Sequence, residues 1–125
     1  MEDTLRKVGV FRKVFNNHLN RNYPIGAIYK SDGLIIHIRN RAHNFGLAYF
    51  DEIGEIIKHP DFIGHNTRHL NSFELIKKYD DNIQIAIKLD NENGYWYVAS
   101  VYDISQAKLE RRLHSGRIVR FIDIK

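Results

Sequence analysis

Apolar and polar positions alternate most regularly from Asn82 to Leu89, where Gln84, Ala86 and Lys88 separate Ile83, Ile85, Ile87 and Leu89. A period of two belongs to a strand with one buried face. Asp90-Asn91-Glu92-Asn93-Gly94 then supplies turn residues before Tyr95 to Tyr102, so the region reads as a β-hairpin. Elsewhere the spacing is helical. Phe45 to Lys58 sets Leu47, Phe50, Ile53, Ile56 and Ile57 on one face and Asp51, Glu52 and Glu55 on the other. His59-Pro60 stops that helix, because the residue before proline avoids the helical region. Ile104 to His114 predicts a second helix closed by Ser115-Gly116, with Arg117 to Ile124 as a last strand.

The N-terminal third is less regular. Leu5, Val8, Val14, Phe15 and Leu19 favour a helix over Thr4 to Leu19, although Lys7 to Phe15 also alternates as a strand. Tyr23-Pro24 turns the chain into a short β-like run, Ile25 to Lys30. Ser31 suits an N-cap and Asp32 a first helical turn, which tips Asp32 to His43 towards helix over a strand at Leu34 to Ile38. Ser72 to Lys78 fits neither pattern decisively. Helices first and a mostly antiparallel sheet afterwards make an α+β fold. With no repeat, no low-complexity run and only Pro24 and Pro60 as prolines, residues 1–125 are expected to form a single domain around one core.

Composition narrows the chemistry. The 43% apolar and 27% charged residues are ordinary for a globular chain, which argues against disorder. Cysteine is absent, excluding disulfides, thiolate nucleophiles and cysteine-ligated metal sites, and permitting a cytoplasmic location. Arg6, Lys7, Arg12 and Lys13 interrupt the N-terminal apolar residues, so no signal peptide, membrane span or membrane partner is expected. The net charge of +4 is uneven: Lys108 to Arg120 carries Lys108, Arg111, Arg112, Arg117 and Arg120 against Glu110 alone, and His37 to His43 is basic without an acid. Brought onto one face, these segments would attract phosphates; apart, they are a solvated basic surface.

His37-Ile38-Arg39-Asn40-Arg41-Ala42-His43 is the densest chemical stretch. On a helix His37 and Arg41 stand one turn apart on the same face, with His43 almost two turns on. Imidazole exchanges protons near neutrality, and guanidinium forks onto phosphate and stabilises charge growing there. This pairing suits metal-free RNA cleavage through the ribose 2′-hydroxyl; the bland alternative is a helix-capping His43 and solvated arginines. His59, His65 and His69 lack a third ligand set and the glutamate of the zinc motif, so they read as loop histidines, with no metal and no cofactor expected. Lys88, Tyr97, Ser100 and Tyr102 on the hairpin are further candidates. The two-residue period groups Ser100 and Tyr102 with Trp96 and Val98, where strand aromatics serve either as core or as a surface for stacked bases. Arg117 is a natural phosphate clamp or an ordinary edge-strand arginine.

His-Ile-x-x-Arg-x-His at 37–43, His-Pro-Asp-Phe-Ile-Gly at 59–64, Ile-Ala-Ile-Lys at 85–88, Val-Ala-Ser-Val-Tyr at 98–102 and Gly-Arg at 116–117 occur in an order that resembles the phage-type branch of the barnase/EndoU/colicin/RelE-like nucleases. The resemblance spans about Ile25 to Phe121. It implies N-terminal helices packed on a four-stranded, mostly antiparallel sheet and an endoribonuclease or toxin role in a phage, mobile element or toxin system. It further implies catalytic roles for His37, His43, Ser100 and Tyr102, and substrate-binding roles for Arg39, Arg41, Lys88 and Arg117. The implied partners are RNA, with tRNA as one candidate, and an antitoxin or immunity protein. The alternatives are a non-catalytic nucleic-acid-binding or protein-interaction module of the same fold, and a DNA-directed protein of a mobile element.

Overall fold

The computed structural model describes residues 5–34, 49–66 and 68–122. Its strands are β1 (Leu5–Phe11), β2 (Gly26–Ser31), β3 (Phe62–Gly64), β4 (Ser72–Lys78), β5 (Asn82–Asp90), β6 (Tyr95–Ile104) and β7 (Ile118–Arg120). Helix α1 covers Lys13–Leu19, α2 Ile53–Lys58 and α3 Gln106–Ser115, and a 3-10 turn at Phe50–Glu52 leads into α2. The strands form one sheet in the order β1-β2-β6-β5-β4-β3-β7, in which only β2 and β6 run parallel. No helix among the described residues is long and apolar enough to cross a membrane.

The α+β class holds, but the expected arrangement needs correction. The sheet has seven strands and is mixed, and the helices are interleaved with strands instead of preceding them. Thr4 to Leu19 is not one helix: β1 ends at Phe11 and α1 begins at Lys13. The apolar residues that suggested one continuous face do not share one, since Leu5 is 43% exposed and Phe15 fully buried. Gly9 lets β1 close on α2, because a Cβ there would lie 2.6 Å from Ile57 Cγ2. Ser31 is the last residue of β2, Gly33 and Leu34 after it are helical, and the rest of the helix expected over Asp32 to His43 lies outside the described residues. Of the helix expected over Phe45 to Lys58, residues 45–48 lie outside the described residues; the part from the 3-10 turn onward is helical, and Ile53, Ile56 and Ile57 are buried as their spacing required.

The hairpin is as expected: β5 and β6 pair antiparallel, and Gly94 takes the positive φ of 74° that the turn requires. α3 also starts and stops on its local signals. The Ser105 side chain accepts from the Lys108 N–H, and Gly116 closes the helix at φ 82°.

The two faces of the sheet are built differently. One carries the main core: Phe73, Leu75, Ile83, Ile85, Ile87, Trp96, Val98 and Val101 meet Phe11, Phe15 and Leu19 together with the α2 isoleucines. Phe11 stacks on Trp96 at 4.6 Å and meets Phe15 and Phe73 edge-on. The Trp96 indole N–H donates to the Pro24 carbonyl at 2.9 Å, which removes the cost of burying that donor. Among the described residues, α3 covers one end of the other face, through Ile76, Ile104, Leu109 and Ile118.

Candidate functional site

The part of the second face that α3 does not reach holds the polar residues. A β-bulge decides which ones. Ala86 pairs with Ser100 and Ile87 with Val98, so Ala99 is an extra, unpaired residue in β6. Ile85 and Ile87 lie on the core face with their partners Val101 and Val98. Ser100 and Tyr102, opposite Ala86 and Gln84, therefore lie on the other face. This corrects the expectation that Ser100 and Tyr102 share a face with Trp96 and Val98. Without the bulge, an unbroken period of two would have put them together.

Lys88, Ser100, Tyr102 and Arg117 all border one open cavity of about 690 Å³ on this face. Four of the proposed residues are thus brought together from β5, β6 and the turn after α3. His37, Arg39, Arg41 and His43 lie outside the described residues.

The structure adds residues that sequence reasoning missed. Glu74 on β4 is 6% exposed and Arg112 on α3 is 7% exposed, so both charges are buried and need partners. Arg117 Nη2 donates to Glu74 Oε1 at 2.5 Å, while Arg112 Nη1 lies 3.9 Å from Glu74 Oε2. Arg112 also donates to the side-chain oxygen of Gln84, whose amide donates in turn to the Tyr102 hydroxyl. Tyr102, Gln84, Arg112, Glu74 and Arg117 form one continuous polar chain beneath the cavity. Arg117 Nε is buried without a hydrogen-bond partner, so the guanidinium is not fully satisfied by Glu74. Gly64 makes this arrangement possible: a Cβ there would run into the Arg117 carbonyl oxygen and push β7 away from β3.

Lys88, Lys108, Arg112 and Arg117 outnumber Glu74 and Asp103 in the lining, and Glu74 already serves two arginines. The cavity therefore has a cationic surplus, together with two hydroxyl groups. Such a lining favours an anionic ligand such as a phosphate over a neutral or cationic one. His69 and Asn66 border it as well, so one histidine first read as an ordinary loop residue stands at the site.

An adjoining cavity of about 610 Å³ shares Asn66 and Arg117 and is bordered by His65 and Arg68. Desolvation first and then the nearby Arg21 charge hold the His65 pKa below 6.5; Glu74 pulls the other way, and Arg117 adds a lesser lowering. Its Nε2 lies 3.2 Å from Arg21 Nη2, so the neutral ring accepts that N–H. Among the described residues no group of three or more histidine, aspartate or glutamate side chains stands together as a metal site.

Little in the sequence marked Glu74, Gln84 and Arg112. The usable signals were a lone acid inside an apolar segment and an arginine three residues beyond the buried Leu109 of α3.

A family model described as phage-Barnase-EndoU-ColicinE5/D-RelE like nuclease3 (PBECR3) matches residues 6–111. The match takes in Glu74, Gln84, Lys88, Ser100 and Tyr102, and ends one residue before Arg112. No curated protein and no solved structure matches the chain.

Proposed function

The chain belongs to this phage-Barnase-EndoU-ColicinE5/D-RelE like nuclease family, and on that premise we propose that it is an endoribonuclease needing no metal ion. The observation that carries the proposal is the cavity on the open sheet face, where Lys88, Arg112 and Arg117 surround the hydroxyls of Ser100 and Tyr102.

In the proposed reaction a base removes the proton from a ribose 2′-hydroxyl. The O2′–P bond forms, the P–O5′ bond breaks, and an acid returns a proton to the departing O5′. The products are a 2′,3′-cyclic phosphate and a 5′-hydroxyl. Lys88 and Arg117 hold the phosphate and offset the charge that grows on its oxygens. Tyr102, steadied by Gln84, and Ser100 donate to those oxygens or to O5′. His37 is the proposed proton-transfer residue, with His43 as its complement and Arg39 and Arg41 as further phosphate contacts; these four assignments rest on the sequence motif.

The test is incubation of purified protein with total RNA or a tRNA pool in EDTA. Wild type is expected to release fragments ending in cyclic phosphate, and Arg117→Ala and His37→Ala to lose at least about 100-fold in rate. RNA bound but left intact would overturn the catalytic reading in favour of a binding module. Unregulated RNA cleavage would harm a host cytoplasm, so an antitoxin or immunity protein is the proposed partner. It is checked by whether co-expression of a neighbouring reading frame relieves toxicity that His37→Ala also removes.

A further inference from the structure

The bulge that sets Ser100 and Tyr102 beside the cavity has a second effect further along β6. Tyr97 is paired with Lys88, and Tyr95 with Asp90, so both tyrosines lie on the open face with Lys88 and Ser100. In β2, Tyr29 is in register with Tyr97 while Ile28 is in register with the core residue Trp96, which puts Tyr29 on that same face. Lys7 on β1 pairs with Tyr29. The open face thus carries a row of half-buried tyrosines between two lysines, leading away from the cavity at Lys88.

The rings are held in place. Tyr29 and Tyr95 meet edge to face, 5.3 Å apart at 82°. Asp90, the acid on this stretch, has its oxygens engaged by the Glu92 and Asn93 backbone N–H groups and by Asn93 Nδ2 at 3.0 to 3.1 Å. A hollow of about 580 Å³ is bordered there by Tyr95 and Tyr97, with Leu5 and Ser31 from β1 and β2. Side chains two residues apart on a strand stand about 7 Å apart, which leaves room for a base at each ring.

We propose that this row is a stacking track for unpaired bases, so that the substrate is single-stranded RNA running from the cavity over Tyr97, Tyr95 and Tyr29, its phosphates near Lys88 and Lys7. The proposal rests on the reading of the cavity as an RNA site and adds which form of RNA is taken. Every base has a π face, so such a track binds unpaired strands with little sequence preference and rejects a duplex, whose bases are stacked on each other. Lysines flanking the rings supply the charge that a polyanion needs and that a protein partner would not require.

The test is fluorescence anisotropy with an uncleavable, all-2′-deoxy single strand of about 8 nucleotides, a span typical of such sites, and with the same strand paired to its complement. Wild type is expected to bind the single strand at least about tenfold more tightly than the duplex. Tyr97→Leu keeps an apolar side chain but no π face and is expected to weaken binding about tenfold, whereas Tyr97→Phe stays within about twofold of wild type. Ultraviolet cross-linking of a 5-iodouridine RNA to the unmodified protein, expected at Tyr95 or Tyr97, gives a readout that needs no variant. Equal binding of single strand and duplex, wild-type affinity in Tyr97→Leu and Tyr95→Leu, or cross-links confined to other segments would overturn the track. Tyrosine-dependent binding without any RNA cleavage would remove the catalytic reading and support the track; cleavage with tyrosine-independent binding would do the reverse.

Discussion

The two faces of the central strands share one backbone and differ in almost everything else. On the core face, Phe73, Ile85, Ile87, Val98 and Trp96 are buried to 4% exposure or less and need only shape to fit together. On the other face the same strands offer Glu74, Ala86, Lys88, Ser100 and Tyr97, and only part of it is covered by α3. The comparison teaches that one face supplies the stability with which the other can hold buried charge. Glu74, Gln84 and Arg112 are kept in fixed positions by strands whose opposite sides are locked into an aromatic core. A site of this kind is preorganised by packing that it never touches.

The strongest way to break the comparison is to insert an alanine between Ala86 and Ile87 of β5, which gives Ala99 a partner and removes the bulge. With the ladder made regular, pairing in register would turn either Ser100 and Tyr102 or Val98 and Trp96 to the wrong face. The expected loss exceeds about 4 kcal/mol, enough to abolish a cooperative melt followed by circular dichroism. An insertion variant that melts like wild type would show that the bulge does not separate the faces.

Next in size is the core itself. Phe73→Ala removes a ring that touches Phe11, Phe15 and Trp96 and is expected to cost about 3–5 kcal/mol in urea unfolding. Surviving protein should retain the RNA binding proposed for the cavity, because the lining is untouched.

Glu74→Ala tests the other face. It leaves Arg112 buried beside an empty position and is expected to destabilise by about 3 kcal/mol. The Arg117 side chain is 29% exposed and can turn to water, which limits its share of that cost. Adding Arg117→Ala should therefore be less than additive, with a coupling of about 1–2 kcal/mol in a double-mutant cycle. Full additivity would mean that the two residues do not act as a pair.

The smallest effect sharpens the edge of the site. The His65 pKa is lower in the folded protein than its ordinary 6.5, so the unfolded chain binds more protons between those two values. Stability then rises with pH through that window and is lost as pH falls below 6.5. His65→Asn is expected to flatten this part of the curve of melting temperature against pH. An unchanged slope would show that the ring is not held neutral by its surroundings.

Much of this could be read locally. The β5–β6 hairpin, the Gly116 cap of α3 and the buried isoleucines of α2 each depend on residues close together in the chain, and each was legible; the start of α3 was not, because Ile104, expected as its first residue, ends β6 and Ser105 is the cap. Lys88, Ser100, Tyr102 and Arg117 were also visible as candidates, because polar groups on a strand or beside a helix cap stand out from their neighbours. β1 was misread because Leu5 to Phe11 is an edge strand with exposed apolar residues, whose identity depends on pairing with β2 and packing on Ile57. β3 has three residues and exists only between β4 and β7.

By itself, then, the sequence determined the α+β class, the hairpin, the absence of cysteine chemistry and the set of cationic and hydroxyl groups available to a phosphate. Tertiary structure alone decided which of them meet. Alternation along β6 is a local property, but the parity change at Ala99 appears only in its pairing with β5. The Glu74–Arg117 contact joins residues far apart in the chain and requires β3 and β7 to approach closely at Gly64. Side-chain spacing is set within a strand, whereas the partner of a buried charge is set by the packing of strands and helices that no local pattern specifies.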